Sequence, residues 1–143
     1  LHKEYRRQRQ MCIRDRCGIL HDEDGYLIAR RGKGIHENIW EFPGGKVENG
    51  ETKEEAILRE LKEELNLTCQ VEGYLTSIDD VREDVVLHVH AYRCKVICGE
   101  MKLRVHHEVC KVRLDEIYAY PFEKADAPIL EALRVYEGKS EES

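Results

Sequence analysis

Several features that mark secreted, membrane-bound or repetitive proteins are absent from this sequence of 143 residues. No apolar run approaches the ~20 residues that a membrane-spanning helix needs, and no segment has the short apolar centre of a signal peptide. The sequence also has no internal repeat and no low-complexity stretch. We therefore expect one domain of a cytoplasmic protein that does not bind membranes.

Positive charge is in short supply. The 23 lysines and arginines face 29 aspartates and glutamates, which gives a net charge of −6. An acidic chain grips a phosphate backbone poorly, so polymeric nucleic acid is not the expected partner. Carboxylates can still bring phosphates to the protein through a divalent cation, which takes oxygen ligands from both.

Cysteine is present, but without the pattern of a disulfide framework or of a zinc site. No two of the six cysteines are separated by two residues, and the chain is too long to need disulfides for a core. One group raises the question of zinc, although its spacing matches no zinc pattern: Cys94, Cys98, His106, His107 and Cys110. Buried thiols on strands are the preferred interpretation.

The basic residues are concentrated at the start of the chain. Residues 1–16 contain six basic and two acidic side chains, a charge of +4, and show no apolar period. We interpret them as a frayed or foreign tail outside the fold, with a basic arm that binds nucleic acid as the alternative. The predicted domain then covers residues 17–138, and residues 139–143 form a C-terminal tail.

Strand and helix patterns alternate along the predicted domain. A turn at residues 22–25 separates the first two strands, and Pro43 with the two glycines after it is expected to stop any regular element. Strands are predicted at residues 17–20, 26–30, 71–78, 85–97, 102–105 and 108–112, and helices at residues 53–65 and 127–138. This order predicts an α/β fold with a mixed β-sheet covered by helices.

The predicted helix at residues 53–65 has clear signals at both ends. Thr52 and Glu55 have the spacing of a capping box, which opens a helix at the next residue. Asn66 tolerates the left-handed conformation that ends a helix. On a helical wheel, one arc of the helix is apolar and must face a core: Ile57, Leu58, Leu61 and Leu65.

Three carboxylates lie on a neighbouring arc of the same helix. Glu60, Glu63 and Glu64 are three and four residues apart, so their side chains share one patch and repel one another. A solvated acidic face is the simple interpretation, and a site for a hard divalent cation is the functional one. The residues upstream of the helix favour the second interpretation.

A longer pattern runs from the loop into this helix. Gly45 is followed by five residues and Glu51, then by seven residues and the sequence Arg-Glu-Leu-Lys-Glu-Glu-Leu-Asn-Leu at positions 59–67. The pattern resembles the Nudix box of the Nudix hydrolase family, which implies the family's α/β/α sandwich with a mixed sheet. Asn66 stands where the family has glycine. Because asparagine also adopts the left-handed conformation, we expect the helix end to be retained.

The resemblance implies a hydrolase that cleaves a nucleoside diphosphate linked to another group, with Mg²⁺ or Mn²⁺ as the cofactor. The catalytic residues that it implies are Glu51, Arg59, Glu60, Glu63 and Glu64. Arg59 and Glu51 are expected to pair and to brace the loop against the helix. Glu60 is the expected cation ligand that also helps to deprotonate the attacking water.

The resemblance also implies a set of cation ligands. They are the carboxylates of Glu60, Glu63 and Glu64 and the carbonyl of Gly44. Many family members add one more carboxylate from a later part of the chain. Glu108 is the candidate for it here, with a plain strand-surface glutamate as the alternative, and His106 is the other residue that can occupy this position.

Residues outside the box resemble the MutT-like branch, which cleaves nucleoside triphosphates to monophosphate and pyrophosphate, and its CTP pyrophosphohydrolase members. The residues expected to bind the substrate are Arg30, Arg31, Phe42, Gly45, Lys46, His88 and Asp126. A carboxylate at Asp126 can accept a hydrogen bond from the amino group of cytosine, and a plain helix cap is the alternative. The sequence does not rank CTP, dCTP, modified pyrimidines and 8-oxo-dGTP.

Three other functions stay open at this point. One is hydrolysis of a sugar nucleotide or a dinucleoside polyphosphate, and another is a Nudix binding module without activity. The third is an RNA-directed enzyme that uses residues 1–16 as its basic arm, which the acidic remainder of the chain argues against. The expected partner is a small nucleotide, and the expected state is a monomer or a homodimer.

Overall fold

The computed structural model of the protein describes residues 11–30, 38–48, 50–81, 83–106 and 108–142. Its strands are β1 at Met11–Asp22, β2 at Gly25–Arg30, β3 at Trp40–Glu41, β4 at Gly44–Lys46, β5 at Thr68–Val81, β6 at Val85–Cys98 and β7 at Glu108–Val112. Its helices are α1 at Lys53–Leu65, α2 at Leu114–Ile117 and α3 at Ala127–Glu142. A 3₁₀ turn at Lys124–Asp126 leads directly into α3.

The long strand β1 is the centre of a mixed sheet. It pairs in parallel with β6, from Met11 opposite Val85 to Leu20 opposite Cys94. It also pairs antiparallel with β2 and with β4. The sheet continues from β6 to β5 on one side, and from β2 to both β3 and β7 on the other. The parallel pair needs a long connection, and α1 lies within it.

Helices cover both faces of this sheet. Ile57 and Leu61 pack α1 into one core cluster, and Ile129 and Leu133 pack α3 into another. All four side chains are buried, and burial of each stabilises the fold by roughly 1.5–3 kcal/mol. The predicted α/β/α sandwich with a mixed β-sheet is therefore confirmed.

The start of the fold differs from the sequence-based prediction. β1 begins at Met11, so the predicted boundary between residues 16 and 17 falls inside a strand. A central strand is held by backbone hydrogen bonds to neighbours on both sides, and these need no apolar period in the sequence. Arg16 is buried in this strand, which a hydrophobicity pattern does not anticipate. Residues 1–10 lie outside the described residues.

Two further predictions are corrected in the same way. β3 ends at Glu41 just before Pro43, as expected, but the two glycines do not stop regular structure, because Gly44–Lys46 form β4 against β1. The final helix does not end at Gly138 but continues to Glu142, so no separate tail begins at residue 139. Gly138 does not adopt a positive φ and therefore does not end the helix as a left-handed cap would.

Residues 102–105 were expected to form a strand and do not. The backbone N–H groups of Lys102 and Arg104 donate to carbonyls at the end of α1 instead of to a neighbouring strand. The predictions for α1, for β7 and for the start of α3 are confirmed. Among the described residues, no helix has both the length and the apolar character that crossing a membrane requires.

Candidate active site

The loop between β4 and α1 is fixed where the helix begins. Thr52 Oγ1 accepts a hydrogen bond from the backbone N–H of Glu55, and Glu55 Oε1 accepts one from the backbone N–H of Thr52, both at 3.1 Å. This is the capping box that the sequence predicts. It satisfies two backbone donors at the helix start and so sets the direction in which α1 leaves the loop.

Arg59 holds the same loop from the middle of the helix. Its Nε lies 2.6 Å from Glu51 Oε2 and its Nη2 lies 3.1 Å from Glu51 Oε1, which is a two-pronged ion pair. Glu51 Oε1 also accepts a hydrogen bond from the backbone N–H of Glu48 at 2.9 Å. The Arg59 guanidinium lowers the pKa of the Glu51 carboxyl, and the hydrogen bond to Glu51 raises the pKa of Arg59. The pairing expected from the sequence is present.

The third nitrogen of Arg59 faces the other acidic residues of the helix. Nη1 lies 3.0 Å from Glu60 Oε1 and 3.1 Å from Glu63 Oε2. One guanidinium thus links Glu51 in the loop to two carboxylates on the helix. This contact offsets the repulsion that neighbouring carboxylates would otherwise exert on each other.

Glu60 is fitted closely against β4. A Cβ at Gly45 would lie 2.6 Å from both the carboxyl carbon and Oε1 of Glu60, so no residue but glycine fits at this point without a shift. The Glu60 side chain is 15% exposed. Burial raises the pKa of its carboxyl, and the charge of Arg59 acts against that shift. The carboxylate most enclosed by the loop is therefore a better proton acceptor than a solvated glutamate.

The three helix carboxylates differ in exposure. Glu63 is exposed, with 59% of its side chain accessible, whereas Glu64 is buried at 6%. The simple interpretation of a solvated acidic face therefore does not hold for Glu64. Glu64 lies three residues after the buried Leu61, and residues three apart share one side of a helix, so its side chain lies on the buried side of α1.

Whether a divalent cation fits this site can be judged from the oxygen atoms that would bind it. Within the described residues, no three His, Cys, Asp or Glu side chains form a group that could hold a metal ion. Arg59 contacts two of the three predicted carboxylates. The donor set is nevertheless all oxygen, as Mg²⁺ and Mn²⁺ prefer, and Gly45 leaves room for the Glu60 carboxylate beside the Gly44 peptide. The residues fit a hard cation in chemistry, and the site itself stays a prediction.

Glu108 is placed differently from its predicted role. It lies at the start of β7, directly opposite Arg30 of β2. Its Oε1 is 3.1 Å from Arg30 Nε, and the side chain is 53% exposed. The structure thus supplies Glu108 with an arginine partner, as in the strand-surface alternative, and gives no contact that supports a role as a cation ligand.

His88 lies in a polar cavity between the sheet and the start of α1. Its Nδ1 is 2.7 Å from Asp79 Oδ1, and Nδ1 of His90 is 2.8 Å from Ser77 Oγ. The cavity has a volume of about 380 Å³ and is lined by Arg16, Lys53, Ser77, Ile78, Asp79, His88 and His90. The size suits a small ligand, to which the charged and hydrogen-bonding side chains of the cavity could offer polar contacts.

The other predicted substrate residues lie on different elements of the fold. Phe42 is buried in the core against Phe122, with ring centroids 5.5 Å apart, so it packs rather than lines an open surface. Asp126 is half-buried and ends the 3₁₀ turn in front of α3. Lys46 ends β4. Arg31 lies outside the described residues.

One partly buried pair near the loop was not predicted. The His106 side chain is fully buried, and its Nε2 is 3.1 Å from Glu41 Oε2. It joins the segment before β7 to β3, the strand that leads into the Pro43 loop. Neither partner has a pattern in the sequence that points to the other, because 65 residues separate them.

Comparison with known proteins agrees with the geometry. The model of the NUDIX domain family matches residues 13–133. The CTP pyrophosphohydrolase of Escherichia coli (strain K12) is 32% identical over 115 residues, which cover 80% of this chain and 85% of that protein. The 8-oxo-dGTP diphosphatase of the same organism is 49% identical over 55 residues, 37% of this chain and 43% of that protein.

Solved structures give the same result for the fold. The solution structure of the E. coli ORF135 protein has a TM-score of 0.79 and 30% sequence identity, over 90% of this chain and 92% of that one. The crystal structure of the MutT protein from Methanosarcina mazei Go1 has a TM-score of 0.75 at 20% identity, over 92% and 96% of the two chains. At that identity the second likeness concerns the fold alone.

Proposed function

The chain belongs to the Nudix hydrolase family of pyrophosphohydrolases, and from this premise we propose that it hydrolyses nucleoside triphosphates with a divalent cation. The products are a nucleoside monophosphate and pyrophosphate. The observation that carries the proposal is the network in which Arg59 joins Glu51 to Glu60 and Glu63, with Glu60 fitted against Gly45. A structural helix gains nothing from such a concentration of carboxylates.

In this proposal Glu60, Glu63, Glu64 and the Gly44 carbonyl hold Mg²⁺ or Mn²⁺. A cation bound there neutralises phosphate oxygens and lowers the pKa of a water molecule. The Glu51–Arg59 pair holds the loop that follows β4, and with it Gly44 and Gly45 at the end of that strand, beside the helix. Glu60, which is fitted against Gly45 next to the Gly44 carbonyl, is the residue that accepts the proton of the attacking water.

A substrate panel tests the activity. CTP, dCTP, UTP, 8-oxo-dGTP, a sugar nucleotide and a dinucleoside polyphosphate are each incubated with Mg²⁺, and pyrophosphate and phosphate are measured separately. We expect pyrophosphate from the triphosphates and none in excess EDTA. Preference for the sugar nucleotide or the dinucleoside polyphosphate would favour the rival enzymatic function, and inactivity on all six would favour a binding module.

Glu63→Gln tests whether this activity depends on a carboxylate of α1. Glu63 is exposed, so removal of its charge leaves the packing intact, and we expect turnover to fall by about 10²-fold or more. Glu54→Gln is the control, because Glu54 is exposed on the first turn of the same helix and lies outside the Arg59 network. Equal activity of the two variants would contradict the assigned role of Glu63.

We further propose cytosine nucleotides as the preferred substrates. A relative that matches over 80% of this chain is a CTP pyrophosphohydrolase. The 3₁₀ turn that ends at Asp126 packs against β5, and β5 also supplies Ser77 and Asp79 to the His88 cavity. A carboxylate at the start of a helix stays ionised, and an ionised acceptor suits the cytosine amino group better than the uracil carbonyl.

Asp126→Asn tests this choice of base. The amide keeps the capacity to cap α3 but replaces the charged acceptor. We expect the ratio of CTP to UTP turnover to fall by roughly 10- to 100-fold, the usual value of one discriminating hydrogen bond. Asp115→Asn, an exposed position on α2, serves as the control. An unchanged ratio in Asp126→Asn would leave Asp126 as a helix cap only.

A further inference from the structure

The end of α1 is fastened by a distant segment of the chain. The last four carbonyls of a helix have no partner within the helix and need donors from elsewhere. Leu65 O accepts from the backbone N–H of Lys102 at 2.9 Å, and Glu64 O accepts from the backbone N–H of Arg104 at 3.1 Å. We call residues 99–104 the clasp, because they lie along the end of the helix without forming a strand.

Arg104 contributes its side chain as well as its backbone. Nη1 lies 3.4 Å from the carbonyl oxygen of Glu63, and Nη2 lies 3.4 Å from Oδ1 of Asn66. One residue of the clasp thus reaches the carbonyls of both Glu63 and Glu64. A guanidinium is also the favoured charge at this point, because the C-terminal end of a helix carries partial negative charge.

Asn66 fastens the clasp from the helix side. It has a φ of 61°, the left-handed conformation, and its Nδ2 donates to the carbonyl of Glu100 at 3.0 Å. Gly99 packs directly on it, since a Cβ at Gly99 would lie 2.6 Å from the Asn66 carbonyl oxygen. A glycine at position 66, as in the family pattern, could end the helix equally well but could make neither side-chain contact.

We propose that Asn66 and Arg104 are positioning residues, which fix the last turn of α1 and thereby hold the carboxylates of Glu63 and Glu64 in place for the cation. The inference rests on the proposed function, because it assigns cation binding to those two glutamates. The two side chains act only through the backbone of the helix. They touch neither the cation nor the nucleotide.

The test compares Arg104→Met with Lys102→Met. Both substitutions remove one positive charge from the clasp and keep its backbone donors, but only the first removes a side-chain contact with the helix. Asn66→Gly is the second variant, which keeps the left-handed backbone and loses both side-chain bonds. Arg104 is exposed, so its replacement leaves the core unchanged.

Two measurements need no substrate. Hydrogen exchange of the amides at residues 63–67 reports the last turn directly, and titration with Mn²⁺ reports cation affinity. We expect faster exchange and an increase in the Mn²⁺ Kd of about 3- to 10-fold in Arg104→Met and Asn66→Gly, which is less than the 10- to 100-fold effect of groups that contact a metal ligand directly. Lys102→Met should match the wild type in both.

Steady-state kinetics supply a third readout. Positioning predicts a lower kcat with an unchanged KM for the triphosphate, and partial recovery in Arg104→Lys, whose ammonium can reach one of the two acceptors. Wild-type affinity for Mn²⁺ in Arg104→Met and Asn66→Gly would overturn the positioning role. Absence of Mn²⁺ binding by the wild-type protein would instead overturn the proposed function on which the inference rests.

Discussion

Arg59 acts through the shape of its side chain as much as through its charge. Its planar guanidinium places three nitrogens against Glu51, Glu60 and Glu63 at 2.6 to 3.1 Å. A lysine carries the same charge on one nitrogen, so it cannot make the two-pronged contact with Glu51 and also reach both Glu60 and Glu63. The geometry of the loop beside Glu60 therefore depends on the fork of the arginine.

Arg59→Lys is expected to lower kcat by about 10- to 100-fold, because the loop that follows β4 loses the two-pronged contact between its Glu51 and the helix. The measurement is pyrophosphate release at saturating substrate. Arg134→Lys is the matched control: Arg134 makes a similar two-pronged contact to Glu131 on the exposed side of α3, away from the network. A similar loss in both variants would mean that Arg59 contributes stability only.

The cysteines show how burial changes the chemistry of single residues. Cys69 and Cys94 are buried, and burial raises the pKa of their thiols to about 11 and about 12. Cys98 on the same pair of strands is exposed. A buried thiol is protonated and out of reach of reagents, so these three residues should differ sharply in reactivity.

Alkaline pH is expected to destabilise the fold through Cys94. An unfolded thiol ionises near pH 8.5, whereas the folded one stays protonated until about pH 12. Burial of the protonated thiol therefore stabilises the fold fully below pH 8.5, and this stabilisation is lost as the pH rises toward 12. Urea unfolding at pH 7, 9 and 10 should show falling midpoints, with a smaller fall in Cys94→Ala. Equal falls in both proteins would contradict the assignment.

At the scale of elements, α1 joins three tasks that are usually separate. Its apolar side packs on β1 at Gly18, where a Cβ would lie 3.1 Å from Leu61. Its acidic side carries the Arg59 network, and its two ends are fastened by the capping box and by the clasp. Because 13 residues alone would form a marginal helix in water, these fastenings and the packing supply its stability.

Thr52→Ala should lower the free energy of unfolding by about 1 kcal/mol, since it removes the acceptor for the Glu55 N–H and disrupts the capping box. Thr52→Ser keeps a hydroxyl and should be close to wild type. The measurement is the urea midpoint of each variant at constant m-value. A loss in the serine variant as large as that in the alanine variant would show that the methyl group matters, not the cap.

Local signals allowed α1 to be predicted to the residue, whereas contacts made by distant segments were not predictable. The capping box, the Asn66 end and the Glu51–Arg59 spacing all lie within one stretch of sequence. β4 and the clasp escaped prediction because their partners, β1 and the end of α1, are far away in the chain. In the clasp, the backbone N–H groups of Lys102 and Arg104 point to the same side, as those of alternate residues in a strand do. They donate to the end of a helix and not to a neighbouring strand. The burial of Glu64 was also not predictable from the local sequence.

At the scale of the whole molecule, β1 connects the parts that build the site. Its residues Arg16 and Cys17 pair with Gly45 and Gly44 of β4, and the same stretch pairs with His90 and Ala91 of β6. β4, whose Gly45 approaches Glu60, and β6, which carries His88, are thus both aligned by their pairing with β1. Rigid strands of this kind hold a site more precisely than loops do.

Removal of residues 1–10 should leave activity and stability close to those of the full chain, because β1 and all of its described pairings begin at Met11. Removal of residues 1–16 should reduce both, since β4 then loses two of its three paired residues on β1. Pyrophosphate release and the urea midpoint are measured for both truncations. Loss of turnover on removal of residues 1–10 from a folded protein would reveal a functional arm.

The pairing of β1 with β6 also has a consequence for synthesis on the ribosome. Residues that face each other across this parallel ladder are about 70 positions apart, as Arg14 and His88 are. At translation rates of 5–20 residues per second, a nascent β1 waits roughly 4 to 15 s before its main partner exists. During that interval β2 can pair with one end of β1, but the edge reserved for β6 stays open to strands of other chains. Chaperones that shield nascent chains should therefore raise the yield of folded protein more than they affect its final stability.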